Sequence, residues 1–289
     1  MKFNIGTITM AAKRAFSWKA FWILGALNLL GNLAAIPLLQ ATGGPIESAG
    51  SWVLYTIVAL VLIAIGLYLA GRIGLGLPLL EGWLKRGERV PWLRRVVAFS
   101  LIIAIAGSLA VLISAVLEYG SDLDLTAQGE SYPPLWTLLL ASLKAAIQEE
   151  IFSRLFMMTL FAWLGSLIWQ EVDGRPTPAV FWAAIIISGL LFGWAHVDDL
   201  IANSEPLTTL VRVMILNSLL GIIFGWLYWK LGLESAILAH FSLDAVASVI
   251  VQPAYFSNNY FVWFGFIVAS AIVLGLSVRV LLQPNSRKR

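Results

Sequence analysis

The chain has 289 residues, of which 60% are hydrophobic and only 12% are charged, and its mean hydropathy is +0.86. This composition lies far outside the range of soluble domains and excludes an ordinary soluble protein of this length. Because the sequence contains no cysteine, disulfides, thiolate catalysis and cysteine-type zinc sites are excluded as well.

Apolar runs long enough to cross a hydrocarbon core, which takes roughly 20 residues of helix, recur along almost the whole chain. They predict an all-α fold, a polytopic membrane helical bundle with about eight transmembrane helices. We expect one integral membrane domain over residues 1–289. In chain order, the predicted spans are 20–40, 52–71, 97–117, 135–167, 179–197, 207–229, 234–251 and 260–282.

Basic residues cluster near the start of the chain, between the second and third spans, and at the end. With eight spans these three clusters share one side of the membrane, which the positive-inside rule identifies as the cytoplasm. The sequence therefore predicts a multi-pass protein of the cell membrane with both termini cytoplasmic. The net charge of +3 reflects this topology, so the predicted partner is the lipid bilayer and no nucleic acid is expected.

Two adjacent acids, Glu149 and Glu150, lie near the middle of the fourth predicted span. A carboxylate inside a bilayer costs several kcal/mol unless it is paired, hydrated or protonated. Glu150 and Arg154 are four residues apart and can pair on one helix face, whereas Glu149 points about 100° away. Glu149 is therefore a candidate general base or metal ligand, and the alternative is a structural polar contact between helices.

The only two histidines of the chain, His196 and His240, lie in the apolar stretches FGWAH and ILAHFSLD. A neutral His196 can bind a metal or hold a water against Glu149, and the alternative is an interfacial residue with a satisfied hydrogen bond. His240 and Asp244 are four residues apart, which suits a metal site, a histidine oriented by its acid, or a pair that only locks two helices.

The elements Glu149-Glu150-Ile-Phe-Ser-Arg154, Phe192-Gly-Trp-Ala-His196 and His240-Phe-Ser-Leu-Asp244 follow one another in a fixed order. In this order they resemble the motifs of the CPBP intramembrane proteases, also called the Abi or CAAX prenyl-protease family. The resemblance covers residues 130–250, which would carry the protease-like core.

The resemblance implies hydrolysis of a membrane-embedded or lipid-modified peptide by an intramembrane endopeptidase. Glu149 and His196 would activate a water, and His240 with Asp244 would stabilise the oxyanion or help bind a metal. Glu150 and Arg154 would support the site. The family is often labelled metalloprotease, so zinc held by Glu149, His196 and His240 is a candidate cofactor, although a metal-free mechanism is also proposed for the family. Prenylated CAAX proteins and bacteriocins are both substrate possibilities.

Two features complicate this interpretation. Many family members have Asn where this chain has Asp244, and an ionised carboxylate cannot donate a hydrogen bond to an oxyanion. In addition, straight perpendicular helices would place His196 and His240 at different depths, so we expect tilting, a broken helix or a late start to the seventh span around Gly232. The alternative function is a non-catalytic membrane scaffold or a proton-coupled transporter that uses the same buried residues.

Overall fold

The computed structural model describes residues 15–44, 48–86, 93–119, 133–248 and 260–282. Within these ranges the secondary structure is helical and each predicted span corresponds to a helix, so the all-α membrane bundle is confirmed. The helices are α1 (Trp18–Thr42), α2 (Ala49–Ile73), α3 (Pro78–Arg86), α4 (Leu93–Tyr119), α5 (Leu135–Glu150), a π-helical segment (Ile151–Met158), α6 (Thr159–Ser166), α7 (Pro178–Ala195), α8 (Asp198–Ala202), α9 (Leu207–Leu231), α10 (Leu233–Val246) and α11 (Tyr260–Leu282).

Among the described residues, four helical stretches are long and apolar enough to cross a membrane by length and composition. They are Trp18–Thr42, Gly50–Ile73, Pro178–Ala202 and Leu207–Leu231. Two further apolar stretches, Val96–Ala110 and Ser270–Leu282, lie within α4 and α11. Most of the charged segments on which the predicted orientation depends lie outside the described residues, so the cytoplasmic position of the termini stays a prediction.

The helix ends follow from local hydrogen-bond chemistry. The Ser17 and Thr177 side chains accept hydrogen bonds from the backbone N–H groups of the first turns of α1 and α7, as N-cap residues do. At the other end of α2, Gly74 adopts a left-handed conformation with φ of 82° and its N–H donates to Ala70. Glycine stops a helix in this way without a steric penalty.

The bundle buries an apolar core and leaves apolar faces outside. Leu155, Met158 and Phe224 belong to the buried cluster that joins the π-helical segment to α9. On α2, by contrast, Val53, Leu54 and Ile57 are more than half exposed. Apolar side chains on the outer surface are what a lipid-facing helix requires.

Close packing of α7 on α9 depends on glycine. A Cβ atom on Gly193 would lie 2.3 Å from the Met214 carbonyl oxygen, and one on Gly189 would lie 3.1 Å from the Ser218 carbonyl oxygen. The four-residue spacing of these glycines indicates close approach of a neighbouring helix, and α9 is that helix. The C-terminal end of α7, which carries His196, is therefore held tightly against α9.

The fourth predicted span is a continuous helix whose middle is widened. α5, the π-helical segment and α6 follow one another without a gap, and the widening begins immediately after Glu150. The Thr159 hydroxyl donates to the Arg154 carbonyl oxygen five residues earlier and also contacts the Tyr228 hydroxyl at 3.0 Å. Single turns of π-helix are frequent at functional sites, and this turn alters the direction of the side chains around the acid pair.

A break at Gly232 separates α9 from α10. α9 ends at Leu231, Gly232 breaks the helix with φ of 99°, and α10 begins at the fully buried Leu233. The Leu233 N–H donates to the Gly76 carbonyl oxygen, and Glu234 accepts from the Leu80 N–H. At 14 residues, α10 is only about 21 Å long. From α10, the Nδ1 atom of His240 lies 2.9 Å from Glu150 Oε1, so both histidines meet the acid pair.

Candidate active site

Three helical elements bring Glu149, His196 and His240 together. The Nε2 atom of His196 lies 3.7 Å from Glu149 Oε2, and the Nε2 atom of His240 lies 3.8 Å from the same oxygen. Both distances exceed a direct hydrogen bond, and Glu149 Oε2 has no hydrogen-bond partner among the described residues. One buried carboxylate oxygen without a hydrogen-bond partner thus faces two imidazole nitrogens.

The neighbouring acid has a different environment. Glu150 is fully buried, and its Oε2 atom lies 3.3 Å from the Nε of Arg154, which is also fully buried. Its other oxygen lies 2.9 Å from Nδ1 of His240. The Glu149 side chain, by contrast, is 36% exposed. The two acids of one sequence pair therefore differ in access: Glu150 is enclosed with its partners, and Glu149 can meet a reactant.

Aromatic rings enclose the buried ion pair. The Arg154 guanidinium lies 4.8 Å from the centre of the Phe192 ring and 5.9 Å from that of Phe224. The Phe224 ring also stacks on His240 at 4.9 Å with an interplanar angle of 16°. These contacts fix the plane of the imidazole and stabilise the cation of Arg154. Phe224 has no place in the sequence motifs, because one more phenylalanine in an apolar helix gives no distinguishing signal.

A backbone contact sets the proton position on His196. Its Nδ1 atom lies 2.7 Å from the Phe192 carbonyl oxygen. Since a carbonyl oxygen only accepts, Nδ1 must carry the proton in this contact. In the neutral ring Nε2 then has a free lone pair, and this lone pair faces Glu149.

Asp244 lies beside His240, as their spacing on one helix indicates. Its Oδ2 atom is 3.4 Å from His240 Nε2, and the side chain is 26% exposed. His240 therefore has Glu150 at Nδ1 and both Asp244 and Glu149 near Nε2. The sequence analysis left open a metal site, a histidine oriented by its acid, or a pair that only locks two helices. A histidine oriented by its acid fits this geometry directly.

A cavity of about 670 Å³ opens onto Glu149 and His196. The charged side chains that line it are Glu149 and Asp198, and its polar walls include Gln148, Ser153 and Ser188. The remaining walls are apolar. On its rim, Phe152 is 48% exposed and Leu191 is 43% exposed. This arrangement suits a peptide that has apolar side chains and reaches the site from within the membrane.

The donor types of Glu149, His196 and His240 are those of a zinc site with two histidines and one carboxylate. Their placement is less suitable: the described residues contain no group of three or more His, Asp or Glu side chains that could hold a metal ion. We therefore derive no chemical step through a metal.

A second cavity, of about 430 Å³, lies at the other end of α7 and is lined by Glu171, Asp173, Arg175 and Trp229 among others. A hydrogen bond from the Arg175 side chain holds the pKa of Asp173 below its ordinary value. The paired acid has no histidine among these neighbours, so the chemistry that the three motifs indicate belongs to the first cavity.

The fold and the site define the class of protein: an all-α membrane protein with an acid–histidine site inside the bundle. Residues 131–246 match the family model described as Type II CAAX prenyl endopeptidase Rce1-like. This match confirms the resemblance drawn from the three motifs: residues 131–246 are similar to the CPBP, or CAAX protease, family of membrane endopeptidases. Neither a curated protein nor a solved structure was found to match the chain.

Proposed function

We propose that the chain is an intramembrane endopeptidase in which Glu149 activates a water for attack on a peptide bond. The observation that carries the proposal is the convergence of the Nε2 atoms of His196 and His240 on Glu149 Oε2, at 3.7 and 3.8 Å. A water that enters from the cavity lined by Glu149 and His196, about 2.8 Å from the carboxylate and from His196 Nε2, would be within hydrogen-bond reach of both a base and an orienting histidine.

In the proposed first step, the water donates one O–H to Glu149 and the other to the Nε2 lone pair of His196. Glu149 takes the first proton while the water oxygen bonds to the carbonyl carbon of the substrate. The carbonyl π electrons move to its oxygen, which becomes the oxyanion. In the second step the oxyanion reforms the carbonyl, the C–N bond breaks, and Glu149 returns its proton to the leaving amine nitrogen.

His240 is the proposed stabiliser of the oxyanion. Its Nδ1–H donates to Glu150, and Asp244 and Glu149 supply negative charge near Nε2. In its imidazolium form, His240 can donate the Nε2–H to the oxyanion while Nδ1–H stays bonded to Glu150. Asp244 would then orient His240 and stabilise its positive charge, and His240 would donate the hydrogen bond to the oxyanion. An amide donor at position 244 is therefore not needed, although many family members have Asn there.

The proposed substrate is a membrane-embedded or lipid-modified peptide. The apolar rim of the cavity supports lateral entry from the bilayer, since Phe152 and Leu191 are exposed there. Prenylation of the substrate is proposed from the family description alone, and a bacteriocin-like membrane peptide is the other substrate class. We propose a cell-membrane location with both termini in the cytoplasm.

The decisive comparison is between the wild type and Glu149→Gln in the same membrane preparation, with farnesylated and unmodified transmembrane peptides as probes. The amide keeps the shape of the carboxylate but cannot take a proton from water, so we expect cleavage to be lost while the melting temperature is retained. Wild-type cleavage that persists in Glu149→Gln would refute the mechanism. The scaffold and transporter alternatives are not favoured by the family match, and each requires that the wild type releases no cleaved peptide.

A further inference from the structure

The residue before the proposed base makes a contact far along the chain. Gln148 lines the catalytic cavity, and its Nε2 atom donates to Asn32 Oδ1 at 2.5 Å. Asn32 lies on α1, 116 positions away and outside the segment that matches the family model. A helix outside the matched segment therefore contributes a polar contact to a wall of the site.

The α1–α5 interface is close at the neighbouring residue. A Cβ atom on Gly31 would lie in ordinary van der Waals contact with Lys144, 3.4 Å from its Cα atom. Asn32 is buried, and its Nδ2 atom has no hydrogen-bond partner among the described residues. Burying an unsatisfied amide costs stability. A pair whose only role was to join the helices would satisfy both amides, or would be replaced by apolar side chains.

We propose that Gln148 binds the main chain of the substrate beside the scissile bond, and that Asn32 is the positioning residue that orients it. This inference rests on the proposed function. A primary amide has two N–H donors and one carbonyl acceptor. Since one N–H of Gln148 is engaged by Asn32, one N–H and the oxygen remain on a side chain that lines the cavity.

A donor and an acceptor on one planar amide complement a peptide group of the substrate. The ligand is thus an extended peptide backbone, whose N–H and C=O are free, and not a helical segment whose backbone groups are bonded within the helix. The contact also selects for the peptide independently of any lipid tail. It gives the site a way to fix the substrate backbone next to Glu149, one residue further along α5.

The test begins with a pool of internally quenched peptides, with and without a farnesyl group, in detergent micelles. A peptide cleaved by the wild type and not by Glu149→Gln is resynthesised with single N-methyl groups on the backbone N–H groups that flank the scissile bond. We expect one N-methyl position to lower wild-type kcat/KM by about 10- to 100-fold, the effect of one lost buried hydrogen bond. Gln148→Leu should show a similar loss with the unmethylated peptide and less than about twofold further loss on methylation.

Asn32 is tested through Gln148. If it acts by positioning that side chain, Asn32→Leu should lower kcat/KM, and the double variant Asn32→Leu/Gln148→Leu should lose no more than Gln148→Leu alone. Asn28→Leu is the matched control, because Asn28 is a buried asparagine one turn earlier on the same helix. We expect Asn28→Leu to change the melting temperature. Combined with Gln148→Leu, it should not show the non-additive effect on kcat/KM that is expected for Asn32→Leu.

The outcomes separate the two proposals. If no peptide distinguishes the wild type from Glu149→Gln, the proposed function fails and this inference fails with it. If the wild type cleaves a peptide but Gln148→Leu cleaves it equally well, or every N-methyl position affects both proteins alike, the endopeptidase proposal stands and the role of Gln148 is refuted. Additive losses in the double variant would refute the positioning role of Asn32.

Discussion

His240 Nδ1 lies 2.9 Å from Glu150 Oε1, so the more enclosed acid of the Glu149-Glu150 pair is bonded to the histidine of another helix. The same acid faces Arg154 at 3.3 Å. This buried chain from Arg154 through Glu150 to His240 fixes one side of the imidazole and leaves Nε2 facing Glu149 and Asp244. The supporting pair of the sequence motif is thereby connected directly to the proposed oxyanion donor.

Breaking the buried ion pair should destabilise the fold. Arg154→Leu removes the arginine partner of Glu150 in a site with no solvent access and leaves the carboxylate with His240 alone. The expected loss is about 3–5 kcal/mol in the free energy of unfolding, or an absence of folded protein. Thermal unfolding in detergent, followed by circular dichroism, measures it.

The matched control removes both charges. In Glu150→Gln/Arg154→Leu no unpaired charge stays buried, so the double variant should be more stable than Arg154→Leu alone. If both variants unfold at the temperature of the wild type, the pair does not have the supporting role assigned to it.

Substitutions of Asp244 distinguish orientation from direct charge effects. Asp244→Asn keeps an oxygen that can face His240 Nε2 and adds an amide donor, so we expect kcat to stay within about tenfold of the wild type. Asp244→Leu removes the contact at 3.4 Å and should lower kcat by about 10- to 100-fold. Steady-state kinetics on one cleaved peptide provide the comparison. Equal activity in the wild type and Asp244→Leu would show that Asp244 does not act on His240.

The glycine contact between α7 and α9 should be sensitive to a single methyl group. In Gly193→Ala the added Cβ would lie 2.1 Å from Ser218 Oγ and 2.3 Å from the Met214 carbonyl oxygen, so the helices must move apart. We expect a cost of about 1–3 kcal/mol in stability and reduced cleavage, because His196 is three residues further along. Gly82→Ala is the control, since a Cβ there meets nothing within 4 Å. Equal melting temperatures for the two variants would contradict this account.

The membrane spans and the candidate site residues could both be predicted from the sequence, but for different physical reasons. Hydropathy locates α1, α2 and α9, because a helix in lipid must be apolar over most of its length. The acid pair and the two histidines are identifiable because polar groups in such helices are costly. Tilting, a broken helix and a late start of the seventh span all stayed open as ways to bring His196 and His240 together. Gly232 marks a break in the helix, but the sequence does not give the depth of that break in the membrane.

Other features of the site could not be predicted, because no local sequence pattern indicates them. The π-helical turn after Glu150 depends on tertiary contacts such as that between Thr159 and Tyr228. The Asn32–Gln148 hydrogen bond joins residues 116 positions apart, and neither amide belongs to a motif. Pairings of this kind follow from how helices pack, which hydrophobic periodicity does not specify.

Metal removal tests whether the site works with protein groups alone. The Nδ1 contacts of the two histidines, to Phe192 and to Glu150, are compatible with a metal-dependent or a metal-free mechanism, because they leave the Nε2 atoms available. The described residues, however, offer no group of three His, Asp or Glu side chains placed to hold a metal ion. We therefore expect cleavage to survive dialysis against EDTA or 1,10-phenanthroline, with kcat unchanged within about twofold.

Peptide release by the dialysed wild type is compared with that of a dialysed sample given equimolar zinc. Loss of cleavage on chelation and its recovery with zinc would overturn the metal-free mechanism and return Glu149, His196 and His240 to the role of ligands. Inhibition by the added zinc would instead support a free Nε2 lone pair on His196 next to the carboxylate, because a metal bound there would displace the reacting water.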